Sequence, residues 1–177
     1  MTTPRASGPL DGVDPIAAAM LRVAVADCPV VYQLRAPGRG AGLAAALQRA
    51  CGVLVPQFPG ALVVDGGAVA FHPRAGEWFL ALRQKPCRPL EVQDAAAVDV
   101  SGGYVLVEMA GEGAVTVLQH ADSAADSLRN LRPGRCAYLV FAGAELLVGR
   151  LDSRCEYRLL IPSSAAAHVW RWLQHVV

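Results

Sequence analysis

The chain has 177 residues, of which 54% are apolar and 18% charged, with a formal net charge of +1 at pH 7. That length suffices for one domain, or for two small halves sharing a core. A charge so near zero gives no pull toward nucleic acid or an anionic membrane, and no apolar run reaches the roughly 18–20 residues of a membrane-spanning helix.

The apolar fraction is high for a free-standing soluble monomer and points to a surface covered by another protein. The opening "MTTPRASGPLDGVDP" lacks the basic-then-apolar layout of a secretory signal. Residues 1–25 read as a flexible tail rich in Pro, Gly and Ser. The cysteines (Cys28, Cys51, Cys87, Cys136, Cys155) are odd in number and scattered, with no C-x-x-C, as expected of reduced thiols in a cytoplasmic protein. Residues 26–177 read as a single domain made of two similar halves, about 26–93 and 94–177.

In the first half, the apolar run Val30 to Leu34 suits a buried strand. "APGRG" breaks it, and Leu43, Ala46, Leu47 and Ala50 then recur at helical spacing as one apolar stripe. "PQFPG" ends that helix. "ALVVDGGAVAF" reads as a hairpin turning at Asp65-Gly66-Gly67, because Asp and Gly supply the backbone angles of a tight turn. "EWFLALR" supplies the next strand.

The second half repeats this order. "GYVLVEM" alternates, with Tyr104, Leu106 and Glu108 on one face and Val105, Val107 and Met109 on the other. "GEGAVTVLQHA" answers the earlier "GRGAGLAAALQRA": Gly40 falls on Gly111, Gly42 on Gly113, Leu47 on Leu118 and Gln48 on Gln119. Ala114, Val117, Leu118 and Ala121 form the matching stripe. "CAYLVFAGAELLVGR" is a hairpin turning at Ala142-Gly143, and "CEYRLLIP" follows as a strand. The fold class is therefore α+β: two pseudo-repeated strand–helix–hairpin–strand units, with antiparallel sheet packed by helices, plus a C-terminal helix.

That last helix follows Pro162, with Ser163 or Ser164 placed to cap it. Ala166, Val169, Trp170 and Leu173 line one face. His168, Trp172 and His175 fall on another, roughly 120° around by helical geometry. A tryptophan there needs cover, so these three residues are the candidate contact with a partner chain.

Motifs that carry chemistry are weak by comparison. The loop from Gly38 to Leu43 follows a strand and opens a helix, but Leu43 replaces the third glycine of G-x-G-x-x-G, and no G-K-[ST] occurs. Glu112 in the second copy would meet a phosphate with like charge. His72, His120, His168 and His175 show no ligand spacing with the cysteines, so no metal site is expected. No G-x-S-x-G nucleophile occurs. Asp99 and Ser101 in "VDVSGG" are conceivable as an acid/base and nucleophile, but turn formation explains them more simply. Glu77 and Glu156, at the starts of equivalent strands, suggest either a carboxylate pair or a repeated structural residue. No catalytic, cofactor-binding or metal-binding residue is assigned to this chain.

Several stretches in order resemble the gamma subunit of heterotetrameric sarcosine oxidase, itself related to the folate-binding aminomethyltransferase fold. They are "RAGEWFLAL", "AVDVSGG", "GEGAVTVLQHA", "RPGRCAYLVFAGAELLV" and "YRLLIPSSAAAHVWRWLQHV", spanning roughly residues 30–177. Gly102 stands where that family commonly has His, and "QHADSAADSL" departs from its usual Cys-Pro-containing run. The resemblance implies a non-catalytic, cytoplasmic subunit that docks directly on a large alpha subunit, in a complex that also holds beta and delta subunits. FAD, FMN, NAD, tetrahydrofolate and zinc are then expected in the partner subunits and not here. The complex would demethylate sarcosine, or a related N-methyl or secondary amino acid, oxidatively. Two rivals remain: a stand-alone folate-binding protein of the aminomethyltransferase type, with a polar pocket and a carboxylate between the halves, and an oxidoreductase using the Gly38–Leu43 loop for a nucleotide.

Overall fold

The computed structural model describes residues 8–28, 30–36, 43, 45, 46, 49, 52–86, 90, 95–121, 128, 131–151 and 155–177. Among these, the strands are β1 (Ile16–Ala18), β2 (Leu21–Val25), β3 (Val30–Arg35), β4 (Ala61–Asp65), β5 (Ala68–Arg74) and β6 (Glu77–Leu82). They continue with β7 (Ala96–Asp99), β8 (Tyr104–Ala110), β9 (Arg135–Phe141), β10 (Ala144–Arg150) and β11 (Glu156–Pro162). Two helices have full bounds, α1 (Gly113–Ala121) and α2 (Ser163–Val176).

All strands join one curled antiparallel sheet in the order β1-β2-β8-β11-β10-β9-β4-β5-β6-β3-β7. Outward from the β9–β4 junction, the connection order is alike on the two sides. The flanking strands cross over: β2 precedes β3 in the chain but pairs with β8, whereas β7 precedes β8 but pairs with β3. The β9–β4 junction itself is slight, with one ladder pair, Ala61 with Arg135.

Both faces of the central strands are buried. On the outer face of the second half, Val107, Met109, Val148, Leu159 and Ile161 pack under α1 and α2. Helix α1 turns Ala114, Val117, Leu118 and Ala121 inward, and α2 turns Ala166, Val169, Trp170 and Leu173 inward, the two stripes that the spacing predicts. On the outer face of the first half, Leu34, Trp78, Leu80 and Leu82 pack with Leu43. The inner faces of the two halves close on each other through Val31, Leu62, Phe71, Phe79, Leu106, Leu147 and Leu160. Each fully buried phenylalanine of that layer contributes about 1.5–3 kcal/mol over remaining exposed. Two-sided burial is why "EWFLAL" shows no alternation: every residue of β6 is buried.

Three expectations are corrected. Residues 16–25, read as part of a tail, form the β1–β2 hairpin, because Leu21 and Val23 alternate inward against β8 and α1. Ser163 does not cap α2; its hydroxyl donates to the Gly102 carbonyl (2.9 Å) and ties the helix to the turn before β8. Strand β7 was also not foreseen. The helix expected in the first half lies largely outside the described residues, although Leu43, Ala45, Ala46 and Arg49 are helical and Leu43 is buried. Among the described residues, no helix is long and apolar enough to cross a membrane.

Gly149, within β10, faces the inner core. A Cβ there would lie 2.7 Å from Leu62 Cδ2 and 3.1 Å from Phe71 Cε1. Replacing Gly149 by Ala is expected to cost about 1–3 kcal/mol through over-packing of the inner core. The readout is a lower urea midpoint at unchanged slope. Gly102→Ala, where nothing lies within 4 Å, is the near-neutral control.

Candidate functional site

The inner layer ends in a polar cluster. Three adjacent strands bring Arg74 (β5), Glu77 (β6) and Arg35 (β3) into one row, since Glu77 is in register with both arginines. Glu77 is buried, a costly place for a carboxylate unless it is fully partnered. Its Oε1 accepts hydrogen bonds from Gln33 Nε2 (2.9 Å) and Arg35 Nη2 (3.2 Å). Its Oε2 accepts from Arg74 Nε (2.5 Å) and from the Tyr138 hydroxyl (3.2 Å). Tyr138 belongs to β9, so Glu77 joins the two sides of the sheet. The Arg74 guanidinium also lies 5.0 Å from the centre of the Tyr138 ring, within cation–π range.

Burial pushes the Glu77 carboxyl up, but hydrogen bonds from Arg74, Gln33 and Tyr138, with the Arg74 charge, outweigh it and hold the group below its ordinary 4.5. Burial and the neighbouring Glu77 charge together push the Tyr138 phenol up to about 12, so it stays a donor. These residues line a cleft of about 180 Å³, with Phe79 and Tyr104 on its walls and Glu145 also lining it. Phe79 and Tyr104 meet edge to face at 5.3 Å.

The other sequence candidates are placed differently. Glu156 lines a separate cleft with Leu62, Val64 and Leu151, so Glu77 and Glu156 are not a catalytic pair. Asp99 and Ser101 are brought together as a staple. Asp99 Oδ1 accepts from the Ser101 amide (3.1 Å) and from its hydroxyl, while Asp99 Oδ2 pairs with Lys85 (2.7 Å). Ser101 Oγ in turn accepts from the Val31 amide (3.1 Å) and so fastens β3 to the turn before β8. The Lys85 and Ser101 hydrogen bonds hold the Asp99 carboxyl below its usual range.

The first Gly-rich loop falls outside the described residues up to Leu43. In the second, Gly111 has φ +117° and a Cβ there would lie 2.3 Å from the Met20 carbonyl oxygen. The Gly113 amide donates to that same oxygen (3.0 Å). These glycines admit the β1–β2 hairpin, and the helix-entry amide that a phosphate would need is already taken.

On α2, His168 Nε2 lies 2.8 Å from the Ala142 carbonyl and His175 Nδ1 lies 2.9 Å from that of Arg171. Both histidines are exposed. Trp172 is half-buried, its ring 5.1 Å from Phe141 and edge-on to it, so part of the cover expected from a partner comes from this chain. Of the cysteines, Cys28, Cys136 and Cys155 are free thiols, and burial pushes Cys136 up to about 12. Cys51 and Cys87 lie outside the described residues. Among the described residues, no group of three or more His, Cys, Asp or Glu is placed to hold a metal.

Sequence reasoning missed the cluster around Glu77 and a second feature, His72. This imidazole stacks on Trp78 (centroids 4.1 Å apart) and is buried, and among the described residues neither ring nitrogen has a partner at good hydrogen-bond geometry, the Pro56 and Phe58 carbonyls lying nearby. Burial pushes its pKa down, against the opposing pull of the Pro56 and Phe58 carbonyls. The signals were present in part: a carboxylate and a histidine, each inside an otherwise apolar strand.

No family model and no curated protein matches the sequence. Solved structures do. A chain of the heterotetrameric sarcosine oxidase from Corynebacterium sp. U-96, in complex with pyrrole 2-carboxylate, matches over 96% of this chain and 93% of its own, with a TM-score of 0.73 and 21% identity. The glycine cleavage system aminomethyltransferase T from Bartonella henselae matches over 88% of this chain at a TM-score of 0.58 and 13% identity. This chain covers 45% of that enzyme. The fold is therefore that of a sarcosine oxidase chain and of part of an aminomethyltransferase.

Glu77→Gln is expected to destabilise the chain at neutral pH by about 1–3 kcal/mol, because it removes the charge that both arginines address. The loss stays below that of a fully buried ion pair, since the guanidiniums are 67–68% exposed. The folded carboxyl titrates below its unfolded value, so its contribution is present above about pH 4.5 and lost as the pH falls through the folded pKa. Urea unfolding from about pH 5 down to pH 3 should therefore show a shallower fall in the variant than in the wild type.

Proposed function

We propose that this chain is a non-catalytic subunit of gamma type in a complex of the heterotetrameric sarcosine oxidase kind, where it stabilises the large alpha subunit. The observation that carries the reading is end-to-end likeness. The matched sarcosine oxidase chain is nearly equal in length to this one and is covered over 93%, whereas the aminomethyltransferase is covered over 45%. The ordered sequence stretches named above point the same way. The complex would oxidise sarcosine or a related N-methyl or secondary amino acid, with the flavins, NAD, folate and zinc held by its other subunits.

The cleft beside Glu77 supports this reading over a stand-alone folate binder. Both Glu77 oxygens are engaged by the chain's own residues, so this carboxylate is not offered to a pterin ring. We read the two sides of the sheet as copies of one ancestral unit, on the like connection order and the repeated Gly-x-Gly helix entries. The face of α2 bearing His168, His175 and the open edge of Trp172 is the one we assign to the companion subunit.

Co-expression with the large flavoprotein subunit from the same source is expected to give a stable complex that oxidises sarcosine or an N-methyl relative. Omitting this chain should lower the yield and melting temperature of the large subunit. His175→Glu should weaken co-purification without shifting the melting temperature of the isolated chain, since His175 is exposed. Saturable binding of a reduced folate by the isolated chain, or sarcosine turnover by it, would overturn the proposal in favour of the folate-binding or the oxidoreductase reading.

A further inference from the structure

The row Arg74–Glu77–Arg35 holds two guanidiniums against one carboxylate. Arg35 gives Glu77 one nitrogen, Nη2, and Arg74 gives it Nε, so among the described residues most of each guanidinium's N–H donors stay uncommitted. Glu77 anchors both, and the Tyr138 ring lies against Arg74. The turn between Arg74 and Glu77 is Ala75-Gly76, where a Cβ on Gly76 would lie 2.7 Å from the Ala36 carbonyl oxygen, so β3 and the hairpin approach closely. Arg35, Arg74, Ala75, Gly76 and Glu77 together line an open cavity of about 370 Å³, which shares Arg35, Arg74 and Glu77 with the inner cleft.

We propose that this mouth, between Arg35 and Arg74, is a binding site for a small oxyanion, a carboxylate or a phosphate, bridged by the outward edges of the two guanidiniums. The argument is one of charge and pre-organisation. One buried carboxylate cannot neutralise two cations, and the residual positive charge faces an opening and not the core. Planar N–H forks held in place lose little freedom on meeting a planar or tetrahedral anion. The other charged residue that lines the adjoining cleft, Glu145 on β10, makes no ion pair with either arginine among the described residues. Its charge opposes the anion and sets an upper limit on affinity. Because the proposal rests on this chain's own groups, it stands or falls independently of any companion subunit.

The test is calorimetric titration of the intact chain with acetate, succinate and inorganic phosphate in low-chloride buffer, since chloride screens and competes. Saturable binding with a Kd of roughly 1 mM or tighter is expected for at least one probe. Carboxylate-only or phosphate-only binding identifies the kind of oxyanion. Arg35→Gln should weaken binding roughly tenfold, with an unchanged circular dichroism spectrum. Glu145→Gln should tighten it roughly two- to threefold. Arg171→Gln, on the distant exposed face of α2, should leave it unchanged. Arg74→Gln is expected to behave as Arg35→Gln; if it does not fold, Arg35→Gln and Glu145→Gln decide. Absence of saturation with all three probes, or binding by Arg35→Gln as tight as by the wild type, overturns the proposal.

Discussion

Burial of the sheet on both faces is the constraint from which the rest follows. An antiparallel sheet with one wet face reads as alternating residues, but here the inner faces of the two sides close on Phe71, Phe79, Leu106, Leu147 and Leu160. Closure brings Leu62 and Phe71 hard against β10, and the residue they press on, Gly149, has no side chain. It also needs the edges tied. The exchange of flanking strands, β2 onto β8 and β7 onto β3, does this with backbone hydrogen bonds that neither side makes with its own sequence neighbours.

The same closure explains where polar groups occur. Along β6 the inward positions run Glu77, Phe79 and Ala81. The last two lie in the inner core, while Glu77 reaches the rim. A carboxylate there is not fully hydrated and must find partners within the chain. Gln33 and Arg35 come from the next strand, Arg74 from the hairpin, and Tyr138 from across the opening. That last bond makes the cluster a clasp, since Tyr138 lies on the far side of the β9–β4 junction.

The sequence showed the local elements clearly because α1 and α2 each bury four residues at helical spacing and the hairpins turn at Gly66-Gly67 and Ala142-Gly143. It showed long-range order poorly. Strand β1, with residues such as Ala17 and Ala18, has no pattern distinguishable from a tail, and its ordering comes from pairing with β2. Strand β7 is short and mostly exposed, and its identity depends on β3. The Glu77 cluster draws on residues from four strands, and nothing in local periodicity brings Gln33 to Tyr138.

The Gly-x-Gly entries show how one chemistry imitates another. A phosphate-binding loop uses glycine so that an anion can approach backbone N–H groups. At Gly111 and Gly113 the approaching group is a carbonyl, that of Met20, which carries partial negative charge and takes the Gly113 amide. The need for a missing Cβ is common to both, so a motif search cannot separate them. What separates them is the occupant, and here the N-terminal hairpin fills the place from within the chain. At the opposite rim the situation is reversed. The Arg35 and Arg74 guanidiniums are aligned by an internal carboxylate that uses a small part of what they offer, so a cationic surface is held in place with donors to spare. The chain supplies its own ligand to the Gly113 amide, whereas among the described residues guanidinium donors stay unmet beside Glu77, which is why the proposed anion is placed there.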